Sequence, residues 1–204
     1  MVATELDVAN LALGMLNIPP LTSLADPNRH AELISSVFAD TRDELLREHA
    51  WNFAHVLEPL TEDAAIDASP YGFTYAYELP DDCLRIHKLC AEGNYRKGYR
   101  FSILNVEDGS TPPVRVLRLF TDIQDAYARY TIRVEDVTLW DQLFVRAMAT
   151  YLAFKISSLK GVPEIQNNMF QLYLVALASA RAADSNEQQD LTSEDSNPYV
   201  TERD

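Results

Sequence analysis

Glycine is scarce in this chain, with six in 204 residues, and cysteine and tryptophan are scarcer still, at two each. So few glycines leave little material for a backbone cradle around phosphate. No Gly-rich phosphate loop, serine nucleophile elbow, kinase motif or dinucleotide motif occurs. Cys83 and Cys90 stand an odd number of residues apart in or beside one predicted strand. That spacing points them to opposite faces, and two buried thiols fit better than a disulfide or a metal pair. No charged leader precedes an apolar stretch, and no uninterrupted apolar run is long enough to span a bilayer. The chain is therefore expected to be made and kept in the cytosol, with no membrane partner. Basic residues are also in short supply, at 17 against 31 acids, for a net charge of -14. A surface that acidic repels phosphate backbones, which argues against tight, sequence-independent nucleic-acid binding.

What is present is a 47% hydrophobic chain, enough to bury a core in one domain. Thr4-Glu5-Leu6-Asp7 opens a helix in the manner of a capping box, and that helix is expected over about 4–17. It is apolar over most of its girth, so neighbours must cover it. Pro19-Pro20 stops it. Asp26-Pro27 supplies a second cap, followed by a long amphipathic helix over about 27–51. From about Val56 the period falls to two. Phe73, Tyr75, Tyr77 and Leu79 alternate with polar or small residues, as do Tyr130, Ile132 and Val134. Further strands are read around residues 84–86, 101–104 and 114–116, with turns at Gly93-Asn94 and Asp108-Gly109. One-sided alternation predicts an antiparallel sheet with a solvated or partner-facing side, inserted over about 56–134. Helical period returns at Thr138-Leu139-Trp140-Asp141 and predicts helices over about 139–160 and 164–188, divided by Gly161 and Pro163. A polar tail, 191–204, is expected to be flexible. The predicted fold is α+β: a four-helix bundle formed by the N- and C-terminal helix pairs, with an inserted small antiparallel β-sheet module, all within one domain over 1–190.

Chemistry-bearing patterns are few. His30, His49, His55 and His87 lack the i, i+4 spacing of zinc hydrolases, and His49 and His55 flank a helix end, where a capping or surface role fits better than ligation. Asp40, Glu44 and Glu48 lie a turn apart on one helix. A glycosidase needs two acids facing each other across a cleft, whereas acids in line form a solvated stripe. Asn94-Tyr95-Arg96-Lys97-Gly98-Tyr99-Arg100 interleaves bases with tyrosines and could stack on single strands, although a solvated hairpin connection is the simpler account. Arg115, Arg118, Arg129 and Arg133 sit on predicted strands, where they serve either a lateral protein interface or a solvated face. No catalytic, cofactor-binding or metal-ligating set is predicted.

Several segments together resemble a known family. Leu16-Asn17-Ile18-Pro19-Pro20-Leu21-Thr22-Ser23-Leu24, then the long helix ending Arg47-Glu48-His49-Ala50-Trp51-Asn52-Phe53-Ala54, is similar to the N-terminal signature of the phage tail tubular protein A family of head-to-tail adaptors. Tyr77-Glu78-Leu79-Pro80-Asp81-Asp82-Cys83-Leu84-Arg85 resembles that family's strand–LPxD–strand element, and Ala180-Arg181-Ala182-Ala183-Asp184 its closing helix. The resemblance spans roughly residues 10–190. It implies a non-enzymatic ring subunit of a short-tailed phage or prophage, a dodecamer in the virion that docks under the portal protein and receives the tail nozzle protein. DNA would pass through its lumen without specific binding, in keeping with the acidic balance. Trp51 and Phe53 are expected to anchor the sheet to the helices, and Pro80 to set a turn between strands. Leu191, Pro198, Tyr199 and Val200 of the tail are candidate portal anchors. Two other functions compete with the connector: a cell-wall lytic enzyme using Glu44 and Glu48, and an acidic binding or assembly-chaperone module for some other basic partner.

Overall fold

A computed structural model describes residues 4–108, 110–158 and 163–187. The first helix, α1 (Glu5–Met15), begins as its local sequence dictates. The Asp7 N–H donates to the Thr4 hydroxyl at 3.2 Å, and the Thr4 N–H returns a bond to the Asp7 carboxylate at 2.9 Å. Asn17, left-handed at φ 53°, ends it, with the Ile18 N–H reaching back to the Leu13 carbonyl. Asn10 then pins the Pro19-Pro20 segment, accepting from the Leu21 N–H at 2.8 Å and donating to the Leu21 carbonyl at 3.1 Å.

The second helix, α2 (Arg29–Glu48), starts later than expected because Asp26 is engaged elsewhere. Its carboxylate accepts from Thr22 and Ser23, so Asn28 becomes the cap and receives the N–H groups of His30 and Ala31. The third, α3 (Gln142–Ser158), is preceded by Asp141, which accepts from the Leu143 and Phe144 N–H groups. Pro163 opens α4 (Pro163–Glu187).

The expected bundle of N- and C-terminal helix pairs does not form. Instead α3 is the hub: α1, α2 and α4 each pack on it, and α1 and α2 do not pack extensively on one another. The reason lies in α3 itself. Phe144, Val145, Ala147, Met148, Ala149, Leu152, Ala153 and Ile156 are all buried and, with the buried Thr150 and Ser157, leave only the strip at Arg146 uncovered. A helix apolar all round needs partners on every side, and its alanines let them come close. One continuous core results, containing residues of all four helices together with Trp51, Leu84, Val134 and Trp140.

The β region also exceeds a small inserted sheet. Among the described residues, seven strands form two antiparallel sheets: β1 (His55–Pro59), β2 (Tyr75–Glu78), β3 (Cys83–Ala91), β4 (Asn94–Tyr99), β5 (Phe101–Glu107), β6 (Arg115–Thr121) and β7 (Ala126–Ile132). The first sheet runs β1-β7-β3-β4 and the second β2-β6-β5. A two-residue turn with Gly93 at φ 71° joins β3 to β4, where a residue bearing a Cβ would be strained.

The predicted one-sided alternation fails on β2, where consecutive residues Ala76 and Tyr77 are both buried. Tyr77 and Leu119 pack with Leu89, Ala128 and Tyr130 of the first sheet. Ala76 and Phe120, on the other side of the pleat, pack with Ala68, Val106 and the partly buried Ile66 and Phe73. The segment between β1 and β2 thus covers the face expected to be solvated.

Candidate functional site

The acids of α2 are drawn into ties between helices. Glu44 accepts from Lys155 at 2.6 Å and from the Tyr151 hydroxyl, both on α3. Partial burial acts to raise its pKa, and these two donors outweigh it, so the carboxyl is held below its ordinary value. Glu48 accepts from Arg181 of α4 at 2.5 Å. The two carboxylates therefore face cations on neighbouring helices rather than each other across a cleft. A shallow depression over Arg29, Glu32, Leu33 and Ser36 lies at the opposite end of α2.

The densest polar constellation sits where α2 ends and the chain enters β1. His49 leaves the helix in an extended conformation, and Asn52 beyond it reaches α4. There Asp184, buried, accepts from the Asn52 N–H at 2.9 Å and from His49 Nε2 at 3.0 Å. The Asn52 side-chain amide donates to the Asp184 carbonyl at 2.8 Å, and Arg181 donates to the Glu48 carbonyl at 3.0 Å. From the sheet, Arg85 donates to the Arg47 carbonyl at 3.0 Å. Beside them the His55 and His87 rings meet edge-on at 5.2 Å, and His87 Nε2 shares a 2.7 Å hydrogen bond with the Thr131 hydroxyl.

Burial, then the Arg129 charge, lowers the pKa of His55. Burial, then His55 and Arg85, lowers that of His87 to about 4. Both imidazoles are neutral at pH 7. Among the described residues no group of three His, Cys, Asp or Glu side chains is placed to hold a metal ion. The bonds run between elements, so this constellation is a joint that locks helices to sheet.

Other residues singled out from the sequence are distributed as follows. Trp51 is buried, its indole N–H donating to the Leu45 carbonyl at 3.0 Å and its ring edge-on to Phe144 at 5.0 Å. Phe53 meets the same Phe144 ring at 4.9 Å. Pro80 stands between β2 and β3, its carbonyl accepting from the Cys83 N–H at 2.9 Å. Cys83 is half-buried, with its thiol pushed up to about 11 by burial and the nearby Asp82 charge, and Cys90 is buried. Both are free. The segment from Asn94 to Tyr99, expected as a hairpin connection, is itself strand β4, exposed along most of its length, and Arg100 follows it. Of the four arginines, Arg118 pairs internally with Asp63 at 2.6 Å and Arg133 with Asp43 at 2.8 Å. Arg115 reaches Glu107 at 3.7 Å from an exposed position. His30 lies in the first turn of α2.

Leu191, Pro198, Tyr199 and Val200 lie outside the described residues, as do Gly109 and Gly161. In the sequence Asp184 is only the last residue of the stretch Ala180–Asp184. Nothing local distinguishes it, because its partners are more than 130 residues away.

No family model matches the chain, and no curated protein is similar to it. Among the described residues no helix is long and apolar enough to cross a membrane.

Proposed function

We propose that the protein is a structural head-to-tail connector of a phage or prophage, a ring subunit seated between portal and tail nozzle. One observation carries the proposal. Three of the segments chosen for their resemblance to tail tubular A adaptors meet at the C-terminal end of α2. His49 and Asn52 bond Asp184, Arg181 bonds Glu48, and Arg85 bonds the Arg47 carbonyl. Stretches far apart in sequence that build one joint are what a shared scaffold would retain, because each loses its partner if another changes.

The acidic balance supports the same function, since a lumen for DNA must not grip phosphate. A lytic enzyme finds less support, because the acids it needs are paired with Lys155 and Arg181. An acidic chaperone module would also carry the net charge, but has no use for the joint. The test is to mix the protein with the portal protein of the same phage or prophage and count copies by native mass spectrometry or cryo-electron microscopy. A closed ring, twelve-fold by the resemblance, is expected. A portal that captures no copies, or pull-downs that recover a basic partner and neither portal nor nozzle, would overturn the proposal.

A further inference from the structure

Acids outnumber bases 31 to 17 in this chain, and Arg100, Arg118, Arg133 and Arg181 all find carboxylates. Four bases gathered on one face of the first sheet do not. Lys88 on β3 stands directly opposite Arg129 on β7, and Leu57 on β1 opposes Arg129 from the other side. Ala128 and Tyr130, flanking Arg129 along β7, are buried with residues of the second sheet, so Arg129, Lys88 and Leu57 point the other way, to an outer face. Arg85, exposed, opposes Thr131 on that face. Gly98 of β4 lies so close to Lys88 that an added Cβ would meet its Cε at 3.2 Å, and Arg96, two residues earlier and exposed, shares the face.

Among the described residues none of Arg85, Lys88, Arg96 and Arg129 is paired with a carboxylate. Arg85 donates to the Arg47 carbonyl, and Lys88 to the carbonyls of Tyr95 and Arg96. Like charges directly opposite in a sheet repel and weaken it, so Lys88 and Arg129 call for an anion laid over them. The border of the face nearest the helices is His55, two residues before Leu57 on β1. Its Nε2 is buried and has no hydrogen-bond partner among the described residues. The charges of Arg129 and Asp184 both reach His55. Asp184 in turn sits one turn before Glu187, where the described part of α4 ends. The helix therefore brings the chain to the border of the cationic face.

We infer that residues 188–195 of the same copy lie over this outer face, with Asp190, Glu194 and Asp195 against Lys88, Arg96 and Arg129. These three acids are the only charged residues between Glu187 and Glu202. Extended, the chain from Glu187 to Asp195 reaches up to about 26 Å, whereas β1 from His55 to Pro59 runs about 13 Å, so the acids have length to spare. The sign of the charge and the place where α4 ends select this occupant. A segment tethered at the border acts at an effective concentration of about a millimolar. A second copy would bring a body of charge -14 along with its own tail, and a nucleic acid would bring its phosphates against the same acidic body. The contact needs no partner protein and so does not rest on the connector proposal.

Arg96→Lys keeps the charge and sets an exposed amine on the face. An equal mixture of heavy-isotope and unlabelled copies of this full-length variant, dilute and in low salt, is treated with a water-soluble carbodiimide. Position 96 or Lys88 should become linked to Asp190, Glu194 or Asp195 within single copies, as mapped by mass spectrometry. At about 1 M salt, where charges are screened beyond about 3 Å, the link should be lost. Neutralising the tail by Asp190→Asn, Glu194→Gln and Asp195→Asn changes nothing in the folded body. It should let a fluorescent oligothymidylate bind several-fold tighter at low salt, because the cations are then uncovered. No link in low salt, links only between copies, a link that persists in high salt, or oligothymidylate bound as tightly by the wild type as by the neutralised variant would each overturn the inference. Capture of the protein by a portal has no bearing on it.

Discussion

The helical body and the β region bury their apolar residues in opposite ways. The helices share one continuous core centred on α3. The strands divide theirs into two small clusters, one between the sheets and one beneath the segment from β1 to β2. The helical body and the β region are coupled through Leu84 and Val134, which enter the helical core, and through the Arg85 bond to the Arg47 carbonyl beside the Asp184 joint. The comparison predicts one cooperative unit, not two domains that unfold apart.

The largest test of that unit is Trp51→Ala, expected to lower the unfolding free energy by about 4 kcal/mol in a urea titration. Phe120→Ala, in the outer β cluster, should cost about 3 kcal/mol. Both tryptophans, Trp51 and Trp140, lie in the helical core. Fluorescence therefore reports on the helices and far-ultraviolet circular dichroism on the whole chain, and the two curves should coincide for each variant. Separate midpoints would break the comparison.

Removing the joint itself is the next step down. Asp184→Ala leaves the Asn52 N–H and His49 without their acceptor and should cost about 2 kcal/mol. The more exposed Glu48→Ala should cost under about 1 kcal/mol by the same titration. Equal losses would mean that burial of the joint contributes nothing.

Acid should weaken the same region with a defined sign. His55 and His87 have folded pKa values below the ordinary 6.5, His87 at about 4. As pH falls below 6.5 the unfolded chain takes up their protons first, so this contribution is complete above 6.5 and is lost down toward 4. Allowing for the partial exposure of both rings, stability should drop by roughly 1 kcal/mol between pH 7 and 5. His87→Gln should flatten that slope, and an unaltered slope would remove the histidines from the account. At the head of α1, Thr4→Ala should cost about 1 kcal/mol by loss of the cap and leave the slope between pH 7 and 5 alone.

Legibility from sequence followed the range of the interactions. The Thr4–Asp7 box and Pro163 at the head of α4 were readable because caps are decided within four residues. Asp26 misled because it has the chemistry of a cap but closes the turn before it, leaving Asn28 to cap α2. Alternation on β2 misled because the period of two reports which side chains share a face. It does not report whether a later or earlier segment covers the other face, as happens to Ala76. Glu44 and Glu48 do stand in an exposed stripe, and what the spacing did not reveal is that each also ties α2 to another helix. The His49–Asp184 joint was unreadable, because no rule of spacing connects residues 135 apart.

By itself, then, the sequence determined the acidic charge, most of the local caps and stops, and the stretches that become the helices and strands β2, β3, β5, β6 and β7, because those depend on composition and on neighbours a turn away. Tertiary structure alone decided that α3 is the hub, that the β region closes into two sheets, and that His49, Asn52 and Asp184 meet. Each of these is a choice of which apolar or polar face finds which partner, and a helix apolar on every side leaves that choice open until the whole chain has packed.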